Sequence, residues 1–109
     1  MTVLREGNVF VRNHLAGSVQ ETDEGYRFLY NDEYMACPDP APVSLTLPIR
    51  KEPYVSNTLF PFFDGLIPEG WLLSVVSRNW KIDSRDRFGL LLVACRDCVG
   101  NVSVQGVIP

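Results

Sequence analysis

The chain has 109 residues, 46% hydrophobic and 21% charged, with a net charge of −3. This is the size of one domain, able to bury roughly two-thirds of its unfolded surface, and the composition excludes a disordered tail or a fibrous repeat. The acidic excess lies in the first half, eight acidic against five basic residues in 1–54 and then five against five, so there is no field to hold a phosphate backbone and direct nucleic-acid binding is not expected.

The start, MTVLREGNVFV, carries neither a basic and apolar leader pattern nor an amphipathic Arg-rich one, and no apolar run approaches the roughly 18 residues of a membrane span. A cytoplasmic, single-domain chain over 1–109 is the expectation. Three cysteines, an odd count in a chain with its own core, argue against a disulfide framework.

NVFV (8–11), LAGSVQ (15–20) and YRFLY (26–30) alternate in the strand manner. Polar turns at Arg12, Asn13 and His14 and at residues 22–25 separate them, which predicts a three-stranded antiparallel meander. CPDPAP (37–42) reads as an extended connection, because its three prolines cannot donate ladder bonds. VSLTL (43–47) resumes the alternation until Pro48, and a loop follows through Arg50, Lys51 and Pro53.

From Ser56 the period changes. Ser56 or Asn57 can cap a short helix through Phe63 that Gly65 ends, and Pro68 suits the first turn of a second helix to about Asn79. Asp83 or Ser84 can cap a third, in which Phe88, Leu91, Leu92 and Cys95 fall at spacings of three and four. Gly100 ends a turn before a last strand, NVSV (101–104). The expected fold is α+β: an antiparallel sheet of about five short strands with three helices packed on it.

Little catalytic machinery is visible. Cys95 and Cys98 have CxxC spacing, but at the expected end of a helix and not at the start, where the dipole would activate a thiol; Cys37 and His14 are the remaining candidate ligands for a metal. Core and turn cysteines are the simpler reading. His14, the one histidine, sits in a hairpin turn away from any nucleophile motif. Asp64 and Glu69 could pair as acid and base across the intervening turn, or be a helix-end carboxylate and a first-turn Glu favoured by the helix dipole. No phosphate-binding loop, dinucleotide fingerprint or kinase signature is present. Neither a metal nor a cofactor is expected.

VSLTLPIR (43–50), FFDGLIPEGW (62–71) and RFGLLLVACRDCVGNVSV (87–104), in this order, resemble the N-terminal subdomain of HipA-type serine/threonine toxin kinases. That subdomain shows a "LSLSLP" strand, an "FFDNLLPD/E" helix-turn and an "FDLLxxIGRDxVGA" close, and the resemblance runs from residue 9 to 104. Gly65 stands where the family often has Asn, Cys95 where it usually has Gly, and Asn101 where it has a small residue. None of these removes a catalytic group, because the family places none in this subdomain.

In HipA-type kinases several hundred further residues carry the ATP site, whereas this sequence stops at Pro109. The resemblance then implies a free-standing piece similar to HipS of tripartite HipB–HipS–HipT modules. What it implies is a non-catalytic antitoxin that binds and restrains a HipA-like kinase of the HipT type, with a helix-turn-helix HipB-type protein as a further component. An activating or stabilising subunit of the kinase is the alternative. The physical reading points to the same surface: Phe60, Phe63, Leu66 and Leu73 can face the sheet, with Trp80 in the core. The Pro68, Glu69, Gly70 and Trp71 turn is hard to bury, which leaves Trp71 partly exposed beside Ile67 and Leu72. Together with Asp64 these are the candidate partner-binding residues, with Trp71 as the anchor.

Overall fold

A computed structural model of the chain describes residues 2–67, 85–94 and 102–107. Among them, five strands form one antiparallel sheet: β1 (Val3–Val11), β2 (His14–Thr22), β3 (Gly25–Tyr30), β4 (Tyr54–Ser56) and β5 (Val102–Gly106). The spatial order is β4-β3-β2-β1-β5, so the last strand lies beside the first. Three helices are described, α1 (Asp32–Met35), α2 (Pro61–Asp64) and α3 (Arg87–Ala94). The expected α+β class and the meander of the first third are both present.

Local chemistry accounts for the hairpins. Arg12 and Asn13 take φ of 50° and 68°, as a two-residue type I′ turn demands, and its twist matches that of the flanking strands. The β2–β3 turn closes on Thr22, whose hydroxyl accepts the Glu24 N–H at 3.2 Å and donates to the Gly25 carbonyl at 3.1 Å. Gly25 has φ 141°, and a Cβ there would lie 2.4 Å from the Ser56 carbonyl of β4. Only glycine meets both conditions.

Alternation puts Val9, Val11, Val19, Phe28, Tyr30 and Val104 on the shielded face of the sheet. Phe28 is the hub: its ring lies 4.9 Å from Tyr30, 5.4 Å from Phe63 of α2 and 6.4 Å from Tyr54 of β4. Phe88 of α3 sits 5.7 Å from Tyr26. Burial of one such ring contributes roughly 1.5–3 kcal/mol. On the other face Arg27 donates to Gln20, which donates to Glu6, a polar ladder across three strands in which the buried Gln20 amide has both its bonds met.

One charged group sits among the shielded positions. Arg5 of β1 donates to Glu21 of β2 at 2.7 and 2.9 Å, and to both oxygens of Asp86 at 2.8 Å, with its guanidinium 5.4 Å from the Phe88 ring centre. Asp86 immediately precedes α3 and caps it, accepting the Gly89 N–H on Oδ1 at 3.2 Å while its carbonyl takes the Leu90 N–H at 3.0 Å. A Cβ on residue 89 would stand 2.4 Å from the Asp86 carboxylate and 3.0 Å from Arg5. Glycine there leaves room for the ion pair.

The structure corrects several expectations. VSLTL is not a strand: Ser44 and Leu47 form an isolated bridge around a tight turn, with Leu45 94% exposed. The reason is the buried Tyr30 hydroxyl, which takes the Val43 N–H at 3.0 Å and donates to the Leu47 carbonyl, so both flanks turn inward. The fourth strand is instead Tyr54–Ser56, which pairs with β3. Helix α1 was not anticipated; Tyr34 anchors it, stacking on Tyr30 at 6.3 Å and donating to the Ala41 carbonyl at 2.6 Å.

Further along, α2 begins at Pro61 without a side-chain cap, because Ser56 is held in β4 and accepts the Thr58 N–H at 3.2 Å. Gly65 does end it, in right-handed conformation at φ −69°. The cap of α3 is Asp86, drawn there by Arg5, while Asp83, Ser84 and the helix expected at 68–79 lie outside the described residues. Leu90, off the expected stripe, is as fully buried as Phe88 and Leu91. β5 covers the expected NVSV strand from Val102 and continues to Gly106.

Two outcomes follow. Tyr30→Phe strands a buried N–H and a buried carbonyl, and is expected to lower stability by about 2–3 kcal/mol in urea titration; a loss under about 0.5 kcal/mol would show that the hydroxyl does not hold residues 43–47. Asp86 titrates below the usual carboxylate range, first because of the hydrogen bonds from Arg5 and then the Gly89 N–H, against the opposing effect of burial. A folded-state pKa below the unfolded value of about 3.9 means that this contribution is complete above that pH and is lost as pH falls through the folded value. Asp86→Asn should therefore lower the urea midpoint at pH 6, with the gap to wild type closing as pH falls below about 4. A gap independent of pH would contradict the assignment.

Candidate functional site

Asp64 and Ile67 are the two expected partner-binding residues that the described structure contains. Pro68, Glu69, Gly70, Trp71 and Leu72 lie outside the described residues, as do Leu73, Trp80, Cys95 and Cys98. The site is therefore built here from its base, where α2 ends and α3 begins.

Pro61 opens α2 with its φ already set for a helix, and Phe63 on the inward side is fully buried. Phe60 and Phe62 meet its ring edge-on at 6.2 and 5.2 Å. The helix unwinds through two short turns, Leu66 N–H to the Phe63 carbonyl at 3.1 Å and Ile67 N–H to the Asp64 carbonyl at 3.2 Å. These turns drive Ile67 inward, to 3% exposure. In this chain Ile67 is core, and its part in the site is to fix where the chain departs.

Asp64 remains at the surface, with 45% of its side chain exposed. Its Oδ1 accepts the Arg87 Nε–H at 2.7 Å, and its backbone carbonyl receives Arg87 Nη2 at 3.3 Å. No local signal could have identified the pair, whose members are 23 positions apart. Gly65 has space for a larger residue: a Cβ would meet the Pro61 carbonyl at 3.3 Å, so a side chain fits after a shift of a few tenths of an ångström.

Two concave regions lie elsewhere. His14 and Cys37, both exposed, share a pocket of about 290 Å³ with Arg12, Tyr34 and Asp39; the Cys37 thiol is turned toward the Glu33 carbonyl at 3.3 Å. Among the described residues, no group of three or more His, Cys, Asp or Glu side chains is placed to hold a metal. A second, more apolar groove of about 450 Å³ runs between Val3, Leu4, Leu92 and Val107. No described helix is long and apolar enough to cross a membrane. These arrangements present shaped surface and fixed charge.

Comparison with known proteins agrees with this architecture. A solved structure, the N-terminal domain of HipA toxin, matches with a TM-score of 0.72 at 31% identity, covering 99% of this chain and 97% of that one. An uncharacterized protein of Haemophilus influenzae is 37% identical over 103 residues, 94% of this chain and 93% of the relative. The family model for the HipA N-terminal domain matches residues 7–105. From the middle of β1 to the end of β5, then, the same domain accounts for the sequence, and the chain belongs to the HipA N-terminal domain family.

Proposed function

We propose that this chain is a HipS-type, non-catalytic cytoplasmic protein that binds a HipA-like serine/threonine kinase toxin of the HipT type and restrains it as an antitoxin. The observation that carries the reading is the extent of the match: 99% of the chain corresponds to the N-terminal domain of a toxin. A domain of this kind that is not joined to a kinase would have a ready partner, namely a kinase with a surface complementary to it.

The physical form of the restraint is a wedge. The chain leaves α2 at the buried Ile67 and enters the Pro68, Glu69, Gly70 and Trp71 sequence, in which proline restricts one φ and glycine permits a tight turn. Trp71, with Leu72 beside it and Glu69 on the polar rim, supplies the large, stiff apolar contact that anchors interfaces. Seated between the kinase lobes, it would keep the catalytic groups apart. The acidic chain leaves DNA contact to a helix-turn-helix HipB-type partner in the same complex.

One observation favours a second reading. The matched structure is a part of a toxin, so the domain could support the kinase and not restrain it. Addition of the purified chain to the co-encoded HipA-like kinase, with phosphate transfer followed, separates the two. A fall in transfer is expected, with Trp71→Ala weakening the inhibition by on the order of 2–4 kcal/mol while the domain stays folded. Unchanged inhibition by Trp71→Ala would remove the wedge, and a rise in transfer with wild type would make the chain a supporting subunit.

A further inference from the structure

We infer that the turn of residues 43–47 is a docking knob, with Leu45 the side chain that enters an apolar pocket of the partner kinase. The inference rests on the kinase-binding reading given above and adds a contact of its own to it.

Leu45 is 94% exposed, while Val43 and Leu47 on either side of it are 5% and 4% exposed. In a strand the three would share one face, but the turn sends the middle one to water. The fold fixes that outcome. The Tyr30 hydroxyl receives the Val43 N–H at 3.0 Å and donates to the Leu47 carbonyl, and the Leu47 N–H closes the loop on the Ser44 carbonyl at 3.0 Å. At the tip the Ser44 hydroxyl accepts the Thr46 N–H at 3.2 Å. Just beyond, the Tyr54 hydroxyl donates to the Pro48 carbonyl at 2.6 Å. Leu45 is thus held out by a braced turn, with the exposed Pro42 and Pro48 flanking it in sequence.

The fold does not need leucine at this tip. Turns favour Gly, Pro, Asn, Asp and Ser for backbone reasons, and a side chain so exposed adds nothing to the core. The segment PAPVSLTLPI, residues 40–49, has no charged residue in a chain that is 21% charged, and such depletion marks the centre of protein interfaces. It offers no cation to a phosphate backbone. Asp39 precedes it and Arg50, Lys51 and Glu52 follow, a mixed flank and not the basic cluster that an anionic lipid surface requires. One leucine between two prolines covers far less than the roughly 1,200 Å² that a stable specific interface buries, so the knob cannot by itself join two copies of this chain. It fits as one anchor within a larger contact, and the kinase is the partner that supplies the rest. Because the turn is braced in the free chain, little ordering remains for the partner to impose.

Calorimetric titration of the purified HipA-like kinase with wild type, Leu45→Ser and Leu45→Met tests this, alongside urea midpoints and sedimentation of each chain alone. Leu45→Ser is expected to weaken affinity about tenfold or more, with the urea midpoint unchanged. Leu45→Met, which keeps an apolar side chain of similar volume, should stay within about threefold of wild type. Equal affinity for Leu45→Ser and wild type overturns the inference, as does a lowered urea midpoint, which would make Leu45 part of the fold. A wild-type dimer that Leu45→Ser dissociates would give the contact to a second copy and overturn it too. So would wild-type binding to anionic phospholipid vesicles that Leu45→Ser abolishes. If the wild type and both variants alike fail to bind the kinase, the kinase-binding reading is wrong, and the knob falls with it.

Discussion

Arg5 is the point on which the two layers of this fold depend. It occupies the helix-covered face of the sheet, where its neighbours are apolar, and so its charge must be met by fixed partners. Glu21 supplies one directly across the β1–β2 pair. Asp86 supplies the other from the start of α3, so the helix cannot shift along the sheet without uncovering a charge. Hydrogen bonds that Arg5 donates to the carboxylates, Asp86 first and then Glu21, raise its affinity for its proton and keep it cationic at any ordinary pH. Since 37% of its side chain is exposed, water still reaches the cluster. The pairs therefore add positional accuracy more than free energy.

Away from that corner the layers are joined by rings. Phe28 in the central part of β3 touches aromatic residues from β4 and α2, and Tyr30 two places on carries the same stack toward Tyr34. The tyrosines do a second task. Their hydroxyls hold the proline-rich connection and the residue 43–47 turn by backbone groups that have no ladder partner. Burial and the Val43 N–H act in opposite directions on Tyr30, and burial prevails, raising its pKa to about 12. It stays protonated and able to donate to Leu47.

The described residues spend their buried polar groups on structure, and no buried side-chain polar atom among them lacks a partner. Charge at the end of α2 is likewise engaged, since Asp64 is bound to Arg87. A rigid base of this sort suits a module that recognises another protein, because affinity lost to ordering a flexible contact is retained when the contact is held in advance.

The sequence by itself determined the elements whose signal is local. Period-2 alternation marked β1 to β3 and the last strand, the polar residues Arg12, Asn13 and His14 marked the first turn, which the structure narrows to Arg12 and Asn13 with His14 opening β2, and the apolar spacing from Phe88 marked α3. The ordered segments from VSLTLP to RDCVG marked the family. Local pattern failed at residues 43–47, where alternation is real but a tyrosine hydroxyl and nearby prolines replace the ladder, and at β4, a strand of three residues too short to show a period. The candidate site was readable as a stretch of sequence, Asp64 to Leu72, and not as an arrangement; the described residues hold Asp64 and Ile67 of it. Arg5 and Asp86 stand 81 positions apart and Asp64 and Arg87 stand 23 apart, and whether opposite charges so separated meet is decided only when packing brings β1, α2 and α3 to one corner. The same packing made Ile67 core. Burial depends on what lies above a residue, and no neighbour in sequence supplies that.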